Sequence, residues 1–320
     1  LKSLIINQFL IDDLLITTKE IKVNDIIALL RVFQNSPKLF VLNTIIKDGF
    51  VTANVKLNFD EKGNIKEDYK ITGSVKKIKL NFLNQLKLQN FNFDFNIDKN
   101  IYSLKKIDMK LNNIKITSPL IEIKKKKNSF FVNGHFLNDN KNFDIEELKP
   151  IFTDLLNIID IRKIEFSSKS KFSFNVNKSL KFDNFKVESI VNLNQLTINH
   201  KNLKLKSYFP SFVEEIKLKE HKVIINYNKN KFNIKGNGSI LLEDKSDSFS
   251  YQIIKDNNNY LFNSKINLKN NSLLIDFLDY KKEEDLNSLI SIKGNFKKNN
   301  QLRFDQINLK EKDNEISIKG

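Results

Sequence analysis

Asn90-Phe91-Asn92-Phe93-Asp94-Phe95-Asn96-Ile97-Asp98 is the stretch that decides the fold class. A period of two puts Phe91, Phe93, Phe95 and Ile97 on one face of an extended strand and the Asn and Asp residues on the other. The same texture recurs in both directions. Upstream it appears in Val51, Ala53, Val55, Leu57 and Phe59; downstream in Phe172, Phe174 and Val176, in Leu203 and Leu205, in Ile266 and Leu268, and in Ile316 and Ile318. The chain reads as a long succession of strands, each apolar on one side, and any function is built from that surface.

Composition narrows the classes. At 40% hydrophobic residues the 320-residue chain has enough apolar mass for a core. Its 8 Gly and 4 Pro are too few for a Gly-rich roll, a collagen-like repeat or a Pro-rich linker. The chain opens at Leu1 and holds one Met, Met109, so it is read as a piece of a longer polypeptide, and its lack of a signal peptide says nothing about export. No uncharged apolar run is long enough to cross a membrane as a helix. With no cysteine, disulfides and thiolate metal sites are excluded, and no cofactor is expected.

The net charge of +16 raises nucleic acid as a partner, and two features argue against it. Lysines are spread along polar strand faces among Asn and Ser, as an AT-rich coding sequence would produce for any function. Base readout and bidentate phosphate clamping favour Arg, yet Arg31, Arg162 and Arg303 are the only arginines. The dense basic run Lys124–Lys127 reads as a hairpin tip. No nucleic-acid partner is expected; the contrary case requires strongly salt-dependent binding.

Along the chain, Leu1–Val23 reads as short strands with a turn at Asp12-Asp13. Asn24 is placed to cap a helix carrying Ile26, Ile27, Leu30 and Phe33, and Ser36-Pro37 to start a second through Ile46. Gly49 is expected to end it in the left-handed conformation. From Phe50 the period becomes two, and Asn, Asp and Gly clusters mark the turns of an antiparallel meander. Asp144–Ile159 reads as an amphipathic helix, with Asp144 and Glu147 at capping-box spacing and Pro150 either kinking it or marking its true first turn. The expected organisation is a first strand block over 1–143 with a helical interlude at 24–46, a helix at 144–160, and a second block over 161–320 continuous with the first. About twenty strands are too many for one flat open sheet, which should curl or split.

No chemistry-bearing constellation stands out. His135, His200 and His221 are far apart and lack metal-ligand spacing, so each is read as a surface or satisfied residue. Asp12-Asp13, Glu146-Glu147, Glu214-Glu215 and Glu283-Glu284-Asp285 read as turn, cap or solvent positions. No phosphate-cradling Gly-rich loop and no nucleophile elbow occurs. An enzyme is not expected.

Several stretches together resemble the AsmA-like superfamily, in particular its YhdP-type branch. They are Gly49-Phe50-Val51, Leu57-Asn58-Phe59-Asp60, Gly63-Asn64-Ile65 and Tyr69 to Val75. Phe143 to Leu156, then Ile292 to Phe296 followed by Leu302–Leu309, Glu311 and Asn314 to Ile318, extend the likeness. The resemblance implies an all-β repeating groove: a long, strongly curved antiparallel meander, U-shaped in section, apolar on its concave side. It implies a periplasmic protein held in the inner membrane of a Gram-negative bacterium by a helix outside this chain. Its cargo would be phospholipid moving between inner and outer membranes, with outer-membrane or periplasmic proteins as partners and no catalytic residues.

Physical reasoning fits such a groove, since an acyl chain gains about 0.8 kcal/mol per buried CH₂ on a continuous dry track. The expected lipid-facing residues are Val55, Leu57, Phe59, Phe91, Phe93, Phe95, Ile97, Phe172, Phe174 and Val176. The alternative is a closed β-sandwich or solenoid serving as a structural or adhesive rod. Periodicity does not separate the two, because both use the same residues.

Overall fold

The computed structural model describes residues 12–33, 37–82, 86–139, 142–148, 160–179, 181–199, 205–212, 215–229, 231–256, 259–297 and 301–320. In chain order these form β1 (Asp13–Thr17), β2 (Ile21–Lys22), α1 (Val23–Phe33), α2 (Pro37–Ile45), β3 (Ile46–Asn58), β4 (Lys70–Phe82), β5 (Leu86–Ile97), β6 (Ile101–Leu111), β7 (Ile114–Lys125), β8 (Ser129–Asn138) and β9 (Asn142–Phe143). They continue with β10 (Asp160–Asn177), β11 (Phe182–Asn199), β12 (Glu215–Asn228), β13 (Lys231–Leu241), β14 (Ser246–Asp256) and β15 (Asn259–Leu268). Last come β16 (Leu273–Ile275), β17 (Tyr280–Lys282), β18 (Ser288–Lys297), β19 (Gln301–Glu311) and β20 (Asn314–Lys319). The fold is a large antiparallel meander with few helices.

Pro37 opens the second N-terminal helix as expected, but Asn24 lies inside α1 instead of capping it, its Oδ1 buried without a hydrogen-bond partner, and Gly49 does not end the second helix. Strand β3 begins immediately after Ile45, and Gly49 lies inside it at φ 143°. A Cβ there would stand 2.6 Å from Ile78 Cγ1, so only Gly admits this strand-to-strand approach. Of the helix expected at 144–159, residues 145–148 form a helical turn, and Asp144 Oδ1 accepts the Glu146 N–H at 3.0 Å. Residues 149–159 lie outside the described residues.

Many strands are longer than the sequence pattern suggests. Leu80–Phe82, expected as its own strand, is the end of β4. Tyr102–Ile107 and Met109 onward merge into β6, and Ile164–Phe166 and Phe172–Val176 merge into the 18-residue β10. Phe182–Val187, Ile190–Leu193 and Leu196–Ile198 likewise join as β11. In β4 to β6 the cause is a series of β-bulges. Lys77 (φ 55°), Asn90 (φ 51°) and Lys106 (φ 52°) adopt left-handed backbone inside continuous strands. The β3–β4, β4–β5 and β5–β6 registers shift around Gly49, Lys77 and Asn90. Each bulge inserts one residue and so moves the apolar set from odd to even positions without changing its face. Thus Ile71, Gly73 and Val75 give way to Ile78 and Leu80 in β4, and Leu88 to Phe91 in β5. Asn92 secures the row: its Oδ1 accepts the Lys77 N–H at 2.8 Å, and its Nδ2 donates to the Asn90 carbonyl at 2.8 Å.

The chain divides into two units. Unit 1 comprises Leu1–Phe136 with Phe174–Phe182, and unit 2 Leu137–Ser173 with Asp183–Gly320. In unit 1, β3 to β7 pair in sequence order, β1 and β2 both pair with β3, and α1 and α2 pack on β3. In unit 2, β11 to β15 pair in order, β15 then pairs with β18, and β19 and β20 follow. The connection between β15 and β18 carries the small β16–β17 hairpin.

Candidate functional site

In unit 1, strand register aligns the alternating apolar residues into rows. One row runs Val55, Ile71, Ile97, Tyr102, Ile123 across β3 to β7. The next runs Ala53, Gly73, Phe95, Leu104, Ile121. Phe93 lies opposite Val75, and Phe91, past the bulge, opposite Ile78. The rings of Phe91 and Phe93 are 4.7 Å apart and those of Phe93 and Phe95 6.5 Å, an aromatic ladder along β5. Phe95 lies across Gly73, where an added Cβ would come within 2.6 Å of the ring. The ring therefore lies low on the sheet, and the face stays smooth. Val55, Leu57, Phe59, Phe91, Phe93, Phe95 and Ile97 are all half-buried.

The structure thus brings together seven of the ten expected lipid-facing residues. The other three, on β10, divide. Phe172 belongs to unit 2 and is buried, whereas Phe174 and Val176 belong to unit 1 and are half-buried, with Phe174 5.5 Å from Phe182 ring to ring.

Unit 2 carries a comparable face with a different fate. Its rows include Phe249, Ile266, Ile290, Leu309, Ile316 and, further along the strands, Ile225, Ile234, Ile253, Phe262. At one end a core encloses them: Leu193, Leu218, Val223, Ile240, Leu268 and Leu309 from the strands meet Phe209, Phe212, Leu242 and Leu273 from the connections. Toward the other end Ile234, Ile253 and Phe262 are half-buried and Phe304 is 42% exposed.

The covering connections are fastened by a polar knot that sequence reading did not identify. Lys282 is 0% exposed, and its ammonium donates to the carbonyls of Asn271 (2.7 Å), Glu283 (2.9 Å) and Lys269 (3.2 Å). Burial pushes its pKa down, opposed by the nearby carboxylates of Asp247 and Glu311. Asp247 accepts the backbone N–H groups of Lys269 and Asn270 at 2.8 Å and the Asn271 side chain at 2.6 Å. Glu311 Oε2 accepts Tyr280 Oη at 2.6 Å and Ser288 Oγ at 2.8 Å, bonds that hold its carboxyl below the usual range. The available signal was the long connection between two apolar strands, not any motif.

Among the described residues the titratable groups singled out in the sequence are dispersed. His135 is exposed, and His200 lies outside the described residues. His221 is 1% exposed; its ring sits 5.7 Å from Tyr251 and 6.0 Å from Phe249, and Nε2 bonds the Ser239 carbonyl oxygen at 2.9 Å. Burial lowers its pKa. Asp12 and Asp13 are exposed, Glu215 pairs with Lys217 at 3.4 Å, Glu283 with Lys281 at 2.7 Å, and Glu284 with Lys245. Glu214 lies outside the described residues. Among the described residues no group of three or more His, Asp or Glu could hold a metal ion. No described helix is long and apolar enough to cross a membrane. Lys124 to Lys127 form an exposed tip between β7 and β8, with Lys126 Nζ 4.9 Å from the centre of the Phe131 ring.

No protein-family model, no curated protein and no solved structure matches this chain. The reading of the apolar face therefore rests on its own geometry and on the resemblance in sequence.

Proposed function

We propose that this chain is a lipid-binding segment of an AsmA-like, YhdP-type protein that conducts phospholipid through the periplasm between inner and outer membranes. The membrane anchor would be supplied by a part of the protein outside these residues. The observation that carries the reading is the face of unit 1: apolar rows crossing five strands that stay half-buried instead of being packed away. At about 4.8 Å between strands, such a row is about 19 Å long, enough to lie along a substantial part of an acyl chain. At about 0.8 kcal/mol per buried CH₂, lipid contact along it outweighs the cost of ordering the chain. The bulge row at Gly49, Lys77, Asn90 and Lys106 supports a sheet bent along that line, since bulges kink and twist their strands. Bending toward the apolar side gives the U-shaped groove. The polar alternates, Asn92, Asp94 and Asn96 among them, face away from the track.

A second reading, a structural β-rod, draws on unit 2, where the chain buries much of the apolar face itself. Native mass spectrometry of the purified chain, with extraction of co-purifying lipid, separates them. Bound phospholipid that is lost in Phe93→Asp and Phe95→Asp proteins of unchanged circular dichroism is the expected result. A lipid-free chain, or lipid retained in both variants, overturns the proposal.

A further inference from the structure

The unit 2 face is a second acyl-chain site closed by its own chain, we infer, with the connection over residues 269–287 and the segment 205–212 as the stopper; this rests on the lipid-binding reading. Strands β15 and β18 pair in unbroken register from Asn259↔Lys297 to Leu268↔Ser288. Two residues would close such a hairpin, so residues 269–287 are not needed to connect it. The neighbouring turn between β19 and β20 shows the economical alternative, with Glu311 opposite Asn314. Connections this long inside a compact unit characteristically serve as lids or binding loops. Here they lie on the apolar face. Leu273, Phe209 and Phe212 join the sheet core, and the Leu274 N–H donates to the Tyr208 carbonyl at 2.9 Å, tying the two segments to each other.

The rows beneath match those of unit 1 in kind, down to a ring laid across a glycine. Phe262 covers Gly294 as Phe95 covers Gly73. The fastening is polar as well as apolar. A buried ammonium bonded to three backbone carbonyls gives one defined closed geometry, and an apolar side chain in its place would leave those carbonyls unpaired. The outer turn of the stopper leaves Phe277 70% exposed, so the covering segment is itself apolar on both sides. Opening it would uncover Ile266, Ile290 and Leu309 to lipid.

The test compares uptake of NBD-labelled phosphatidylethanolamine from vesicles by three proteins: the unaltered chain, a chain with residues 269–287 replaced by Asn-Gly, and Lys282→Met. Replacement should raise uptake per chain about twofold, because a ligand gains whatever state it alone can occupy. Lys282→Met should speed hydrogen exchange over residues 271–282 and raise uptake in step. Unchanged uptake by a folded loop-replaced chain, or faster exchange in Lys282→Met without more uptake, overturns the stopper alone. Loss of the β signature on loop replacement also overturns it, since the connection would then be indispensable core. Absence of uptake by all three proteins overturns the lipid reading itself.

Discussion

Phe93 and Leu268 sit on equivalent apolar faces, one in each unit, yet Phe93 is half-buried and Leu268 is 0% exposed. Both arise from period-two strands with polar alternates, and both faces use aromatic rings laid over glycine. The difference is made by the connections. The described turns of unit 1 at 98–100 and 126–128 are short and its longer connection, over residues 59–69, is largely exposed, whereas unit 2 folds residues 205–212 and 269–287 over its rows. Strand pattern sets which face is apolar; the covering connections add to what the sheet itself buries, since Val75 and Ile78 beside the phenylalanine ladder are buried too.

The largest effect should follow from truncating the two residues in turn. Leu268→Ala is expected to cost about 3–5 kcal/mol, as a fully enclosed leucine does, while Phe93→Ser should cost under about 2 kcal/mol. Denaturant unfolding of each variant checks this, and equal losses would erase the distinction between the faces. Next, Asp247→Ala strands the Lys269 and Asn270 N–H groups and is expected to cost about 3 kcal/mol, confined to unit 2 and visible as faster hydrogen exchange over 269–287. Gly49→Ala forces a side chain into a positive-φ bulge and against Ile78; a loss of about 1–3 kcal/mol confined to unit 1 is expected, read from its own exchange profile.

The smallest effect concerns acidity. His221 has a lowered pKa in the folded chain, so the folded state resists a proton that the unfolded state accepts. Its neutral form costs nothing above about pH 6.5, and unit 2 should lose stability progressively as pH falls below that value. A His221→Phe variant should flatten this dependence in thermal unfolding followed from pH 7.5 to 5. An unaltered slope would show that other groups carry it.

Much of this was legible in the alternation of Asn90 to Asp98, which placed four of the expected residues on one face, and in that of Val51 to Phe59, which added three more. The strand ends were not, because a bulge interrupts period two just as a turn does. Lys106 and the residues around Asn194 break the alternation, yet the backbone ladder runs on. Gly49 carried the signature of a helix end but meets Ile78 across a sheet, a long-range contact with no local trace. The Lys282 knot was illegible for the same reason. Lys282, Asp247 and Glu311 are far apart in sequence, and each alone looks like a surface charge. The charge clusters of the sequence carry no sign that one lysine among fifty-four basic residues is enclosed.

The most direct measurement is photo-crosslinking with a phospholipid bearing a diazirine in its acyl chain, followed by peptide mapping of the purified protein. Adducts concentrated in residues 71–111 of unit 1, with residues 268–282 unlabelled until the connection over 269–287 is removed, are the expected result. Equal labelling of both faces in the unaltered chain, or none on either, would contradict an open apolar track in unit 1 and a covered one in unit 2.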